Sequence, residues 1–258
     1  MSIFRFLQLP YMIGIKDLDH PKTTIIRRKI IEENVFLKNL YADFYATFKN
    51  SLTGLPKKRK LVEIGSGGGF IKKIIPDVIT SDVIKLPEVD RHFSATKMPF
   101  KKGSIDRFFM LNVIHHISNQ RLFFKEIDRS LKNKGKLIAI EPANTLWGRF
   151  IYKNFHYEDF DPRGDWALKS QKALSSANGA LPWIIFIRDR KRFEMLFPHL
   201  KIRKIISHTP MRYLVSGGMS YRQLLPSWTY KIVKNLEELA SPLSKFIGMF
   251  YTIEIEKC

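Results

Sequence analysis

Cysteine is all but absent from this sequence: the single one, Cys258, is the last of 258 residues. That excludes an internal disulfide framework and a cysteine metal cluster. It also fails the prenylation pattern, which needs three residues after the Cys. Long apolar runs are missing too. The longest, LPWIIFI (181–187), is far short of the roughly 20 residues a membrane span needs, and reads as a strand or buried turn. In the opening MSIFRFLQLPYMIGI the apolar stretch is broken by Gln8 and Pro10, and no small-residue cleavage site follows. The expectation is a cytoplasmic protein, with peripheral contact to a membrane left open. Acidic residues are the third scarcity: 24 Asp and Glu against 44 Lys and Arg leave a net charge of +20. Such an excess speaks to partners, whether nucleic acid, anionic membrane or phosphorylated substrate, and not to fold. A solvated basic surface would account for it as well.

Length favours one large domain or one domain with an insertion. Residues 22–50 carry Ile26, Ile30, Leu37, Leu40, Tyr41, Phe44, Tyr45 and Phe48 at helical spacing, so one long amphipathic helix or two shorter ones are expected, with Asp19 and Pro21 at the start. TGLPKKRK (53–60) breaks that pattern, and its basic tetrad reads as solvated charge ahead of a buried strand. From residue 61 strands and helices alternate. LVEI (61–64), VITSD (78–82), a weak segment at 89–94, SIDRFFMLNVI (104–114) and KLIAIEP (136–142) read as strands. Between them FIKKII and QRLFFKEIDRSLK read as helices, the second capped by Asn119, ended by NKG, with Leu122, Phe123, Ile127 and Leu131 facing inward. This alternation predicts a doubly wound α/β core with a parallel sheet. Residues 143–182 lose the rhythm. A helix at 188–197 and a strand at 200–208 restore it, a second interruption covers 209–226, and a helix near 228–240 and a strand at 249–257 close the chain.

The most informative segment is LVEIGSGGGF. A strand that ends in glycines and opens a helix turns backbone N–H groups toward a ligand. Residue 70 is Phe, where a nicotinamide fingerprint needs Gly or Ala, and no Gly-Lys-Ser/Thr follows for a phosphate loop. Glu63, two places before Gly65, would repel a pyrophosphate and suits a ligand with an ammonium or sulfonium group.

Five segments in order carry a resemblance. VEIGSGGG, TSD at 80–82, SATKMPF (94–100), SIDRFFMLNVIHHI (104–117) and SLKNKGKLIAIEP (130–142) resemble the motifs of class I S-adenosylmethionine-dependent methyltransferases, type 11 small-molecule subgroup. The remainder, from EPANTLW onward, is similar to bacterial members of that subgroup without indicating a substrate. The resemblance implies a Rossmann-like sheet, mostly parallel with the last strand antiparallel, and S-adenosyl-L-methionine as cofactor. It implies that Glu63 sits under the methionine moiety and that Gly65, Ser66 and Gly67 face its carboxylate and ribose. Asp82 would accept both ribose hydroxyls, Ala95 would meet the adenine, and Leu111, Asn112 and Val113 the methionine end. Where the family has Asp this chain has Ser94, which can accept from the adenine amine but without charge.

The irregular, aromatic-rich segments would follow strand C-terminal ends, where ligands of such sheets bind, so one domain over 1–258 is expected to comprise an N-terminal helical lid (1–56), a cofactor-binding half (57–142) and cap insertions at 143–187 and 209–247. For catalysis the candidates are His115, the better choice of base, and His116, which falls where the family shapes its pocket. Glu141, Asn144, Trp147, His156, Arg212 and Tyr213 are the candidate substrate contacts, in aromatic-rich segments that follow strand ends. No metal is expected, since no H-x-H, HExxH or mixed Cys/His spacing is present. The acceptor is expected to be a small molecule or lipid- or carrier-linked. Two alternatives stand beside this: an RNA methyltransferase, favoured by the charge, and a catalytically inactive cofactor-binding partner protein. The basic runs 57–60, 188–192 and 201–204 are read as a docking surface for something anionic, a membrane or phosphorylated carrier ahead of nucleic acid. Oligomeric state is left open.

Overall fold

The computed structural model describes residues 8–9, 19–156, 158–168 and 176–258. Of the expected lid (1–56), positions 1–7 and 10–18 lie outside the described residues, as do 157 and 169–175 of the expected insert.

The amphipathic stretch folds as two helices, α1 (Pro21–Glu33) and α2 (Val35–Asn50). Pro21 opens the first, where a missing N–H costs nothing. Asn34 divides them: its backbone leaves helical space (φ −81°, ψ 96°), and its side chain accepts from Leu37 N at 2.9 Å to cap α2. The apolar face of α2 is fully committed. Phe36, Leu37, Leu40, Phe44, Tyr45 and Phe48 are buried, and Phe48 stacks on Phe109 with centroids 5.0 Å apart.

The strands are β1 (Leu61–Ile64), β2 (Val78–Asp82), β3 (Arg91–His92), β4 (Ile105–Leu111) and, after helix α3 (Gln120–Ser130), β5 (Leu131–Pro142). Helix α4 (Leu146–Phe155) follows, then a helical segment Leu181–Trp183 that widens into a π-helix Ile184–Arg188, and helix α5 (Arg190–Leu196). Strand β6 (Leu200–His208) leads to helices α6 (Arg212–Ser216), α7 (Tyr230–Leu239) and α8 (Ser244–Ile247), and β7 (Phe250–Lys257) ends the chain. The seven strands form one sheet in the order β3-β2-β1-β4-β5-β7-β6. Pairing is parallel from β3 to β5, while β7 runs antiparallel to both β5 and β6. All seven residues of β4 are buried, as a strand covered on both faces requires.

Four local expectations are corrected. FIKKII makes only a 3₁₀ turn at Ile71–Lys73, because Pro76 follows too soon for a helix to propagate. LPWIIFI is helical, with Ile184, Ile185 and Phe186 buried; an apolar run this short fits a buried strand or a buried helix equally. Leu122 faces solvent at 45% exposure, and Phe124 takes the inward position. NKG does not end α3. Leu131 already pairs with Ile105, and Lys132 to Gly135 loop out of the ladder, with Lys134 at φ 61°, before Lys136 pairs with Arg107.

Strands β1, β2, β4 and β5 all point their C-terminal ends at one cavity of 730 Å³, where ligands of open α/β sheets bind. That volume sits within the roughly 300–1,000 Å³ of small-molecule sites.

Candidate active site

At the end of β1 the chain turns sharply. Gly65 has φ 71°, and a Cβ there would lie 2.5 Å from Val113 Cγ2, so only glycine fits. Gly67, at φ 48°, donates its N–H to Asp82 Oδ2 at 2.9 Å. Ser66 knits the turn to β2: its N donates to Ser81 O at 2.9 Å, and its Oγ accepts from Ser81 N at 3.2 Å. The glycine turn and the acid at the end of β2 are therefore one hydrogen-bonded unit.

Two carboxylates line this end of the cavity. Glu63 is only 2% exposed, and burial, with Asp82 nearby adding to the effect, pushes its pKa up to about 7. Burial raises Asp82 as well, against the backbone N–H groups of Ile84, Gly67 and Val83 that favour its charge. Glu63 Oε2 and Asn112 Oδ1 are buried without a hydrogen-bond partner. Asn112 holds a left-handed backbone (φ 57°), which Asn tolerates better than most residues, and its N donates to Ile140 O at 2.9 Å. Buried acceptors without donors cost stability unless a ligand supplies the donors. A ligand with a cationic, donor-bearing end fits both. Ser94 Oγ lies 2.8 Å from Thr96 Oγ1 and accepts from Thr96 N at 3.3 Å; with Ala95 and Phe93, whose N donates to Asp82 O at 3.2 Å, it lines the wall next to Asp82. Leu111 and Val113 complete the expected set, so all ten expected cofactor contacts border one cavity.

Beyond Asn112 the chain makes a 3₁₀ turn, Ile114–His116, that presents two histidines. His115 is 2% exposed and clamped between acids, Nδ1 at 2.6 Å from Glu141 Oε2 and Nε2 at 3.3 Å from Glu158 Oε2. Burial opposes its charge, but the two carboxylates outweigh burial and raise its pKa to about 10. His116 shows the reverse. Burial, reinforced by the positive charge of His115, lowers it to about 4. Its Nδ1 lies 3.3 Å from the carbonyl of Ser176, which can only accept, so Nδ1 carries the proton and Nε2 the lone pair. That Nε2 faces Glu158 Oε1 at 3.6 Å. Burial likewise lowers His156, whose Nδ1 is 3.9 Å from Glu158 Oε2. Glu158 is held well below the usual carboxylate range: burial opposes its charge, but the hydrogen bond with His115 and the neighbouring imidazoles prevail.

The site corrects several sequence-based assignments. His115 stores a proton at neutral pH and cannot begin as a base. Glu141 lies beneath the cavity, accepting from Val113 N at 2.8 Å and Ile114 N at 2.7 Å while holding His115. Asn144 Oδ1 accepts from Arg149 Nε at 2.8 Å, and Trp147 Nε1 donates to Pro210 O at 2.9 Å; neither borders the cavity. Arg212 is a buried ion-pair node joining Asp43 of α2 to Glu237 of α7, with its Nη1 2.8 Å from Tyr230 Oη. Of the candidate substrate contacts, His156 and Tyr213 remain on the wall. Glu158, Arg27, Tyr41 and Tyr152 are wall residues that sequence reasoning missed. Glu158 had one faint signal, its place two residues after His156. The donor atoms of His115, His116 and Glu158 all lie within 4.8 Å of one another, close enough to hold a metal ion. Spacing motifs could not reveal that, because the fold and not a short repeat assembles the group.

A Rossmann-like sheet with an antiparallel last strand, a glycine turn tied to an acid on β2, and an acid beneath that turn define the class of S-adenosylmethionine-dependent methyltransferases. Residues 62–139 match the family described as a methyltransferase domain, and the protein is a methyltransferase that uses S-adenosylmethionine. The fold is similar to a possible histamine N-methyltransferase from Thermotoga maritima, at 16% identity and TM-score 0.52 over 90% of this chain and 99% of that one. It is similar also to geranyl diphosphate C-methyltransferase from Streptomyces coelicolor A3(2), at 14% identity and TM-score 0.48 over 98% and 92%. A methyltransferase in complex with the Trm112 activator from Haloferax volcanii aligns at 13% identity and TM-score 0.47 over 90% and 98%. No curated protein matches the chain.

Proposed function

We propose that the protein methylates a hydroxyl of an acceptor with an apolar, lipid- or carrier-linked body. The carrying observation is the pair His116 Nε2 and Glu158 Oε1, two acceptors facing each other at 3.6 Å on the cavity wall. Lone pairs so placed call for a shared proton, and an acceptor hydroxyl entering there supplies it.

The cofactor's cationic end would lie over Glu63 and Asn112, its ribose at Asp82, and its adenine between Val83 and Ala95. When bound, S-adenosylmethionine supplies an electrophilic methyl on a sulfonium, and the sulfur leaves as a neutral thioether with the C–S bonding pair. The chain's contribution is alignment and proton management. The hydroxyl proton passes to the His116–Glu158 pair as the new O–C bond forms. His115, kept protonated by Glu141, steadies Glu158 as an anion beside it. Tyr152, Phe155 and Tyr213 exclude water and present an apolar wall to the acceptor's body. The described parts of the segments 143–187 and 209–247, with α1 and α2, act as the cap over both ligands.

The test is transfer of labelled methyl into a fractionated cell extract. Label in the lipid-soluble or small-molecule fraction supports the reading. Label in RNA, with affinity falling steeply between low and moderate salt, overturns it.

A further inference from the structure

One strongly apolar surface remains that the methyl-transfer site does not use. Trp228, Ile232, Leu236, Leu239, Leu243 and Phe246 are between 46% and 78% exposed. Their spacing of three and four residues puts them on one stripe along the near-continuous helical path from Ser227 to Ile247. Helix α8 packs against α4, whose Leu146 and Phe150 are 71% and 51% exposed and extend the same surface. An apolar surface of this extent on a soluble domain marks a contact site.

Its position is fixed by topology. The connection that carries α6, α7 and α8 leaves the sheet at His208 and returns at Phe250, which pair with each other. Phe250 lines the cavity, as do Tyr221 and Leu224 just before the stripe begins. The stripe therefore lies at the cavity end of the sheet. The three basic runs do not. Lys57 to Lys60 precede β1, and Lys201 to Lys204 open β6, which runs parallel to β5, so both sit at the opposite end of the strands from the cavity. In the run 188–192, Arg188, Arg190 and Arg192 are paired with Asp189, Glu194 and Asp165. The sequence-based docking surface is thus not the surface beside the site.

We propose that the stripe is a membrane-docking face that settles on an anionic bilayer and brings the cavity mouth to lipid-borne acceptors. This rests on the reading of a lipid-linked acceptor and adds where the protein meets it. Charge complementarity selects the occupant. Lys231 and Lys245 rise from the stripe's own helices, and Arg149 and Lys153 from α4, which carries no acid. Of the two acids on α7, Glu237 is buried and consumed by Arg212, and the exposed Glu238 is outnumbered by these four basic residues. An exposed Trp and bulky aliphatics with basic residues along their border are the composition of helices that lie in a bilayer interface. None of the described helices is long and apolar enough to cross a membrane.

The test is flotation of the full chain with vesicles of phosphatidylcholine alone or with phosphatidylglycerol, with light scattering for mass in solution. A monomer that floats with anionic vesicles, loses binding in high salt, and binds at least ten-fold more weakly as the double variant Ile232→Glu, Leu239→Glu is expected. Both positions are solvent-exposed, so the variant folds, and its unchanged melting shift with S-adenosylhomocysteine verifies this. Failure of the folded wild type to float, floating unaffected by the variant, or a dimer that the variant dissociates would overturn the proposal, the last assigning the stripe to a second copy. Vesicle binding with label in a water-soluble product would instead leave the docking face standing and overturn the lipid-linked acceptor.

Discussion

His115 Nδ1 lies 2.6 Å from Glu141 Oε2, and both side chains are sealed from water, at 2% and 0% exposure. Glu141 simultaneously accepts two backbone N–H groups from the turn that carries His115. One carboxylate thereby sets the loop, the tautomer and the charge of an imidazole that borders the cavity. Removing it leaves a buried cation beside one acid only. Glu141→Gln is expected to cost roughly 3–5 kcal/mol of unfolding free energy, the usual penalty for breaking a buried pair, measured by urea denaturation at pH 7.

The same pair links stability to pH. His115 is raised from 6.5 to about 10 in the folded state, so its contribution is complete below 6.5 and is lost as pH rises through 10. Wild-type unfolding free energy is expected to decline across that window, and Glu141→Gln to flatten the decline. Identical slopes in both proteins would remove the pair from the account.

His116 is neutral at physiological pH because burial holds it near 4. With saturating cofactor, turnover is expected to be flat from about pH 6 to 9, a window set by His116 below and His115 above. A bell centred at 6.5 would mean that a solvent-like histidine is the base.

Asp82 holds the glycine turn through Gly67 N and is the proposed ribose contact. Saturating S-adenosylhomocysteine at 100 times its Kd is expected to stabilise the wild type by about 2.7 kcal/mol. At this size that is a melting shift of roughly 5–10 °C. Asp82→Ala is expected to lose the shift while remaining folded by circular dichroism.

Arg212 separates structure from site. Its partners Asp43, Glu237 and Tyr230 bind α6 to α2 and α7, away from the cavity wall. Arg212→Met is expected to lower the melting temperature and to leave the cofactor Kd unchanged by calorimetry, since no ligand contact is lost.

The sheet was legible because its signals are local. β1 and β2 are short apolar runs that match their expected bounds, and the glycines of the first turn are demanded by φ and by the closeness of Val113. The histidine-acid cluster was not legible as a unit. Glu158 comes from a loop beyond α4 and meets His115 only after the chain has crossed the top of the sheet. Arg212 misled for the opposite reason: its aromatic neighbourhood suggested a ligand, whereas an Asp on α2 and a Glu on α7 satisfy it internally. Periodicity likewise separated α1 from α2 only ambiguously, because Asn34 ends one helix and begins the next without a residue to spare.

The most direct test compares Glu158→Gln with wild type in cofactor binding and in labelled-methyl transfer to the extracted lipid fraction. An unchanged Kd for S-adenosylhomocysteine with transfer reduced at least 100-fold, the scale of lost general-base catalysis, is the predicted result. Transfer at the wild-type rate, or loss of binding and transfer in equal measure, would contradict the account.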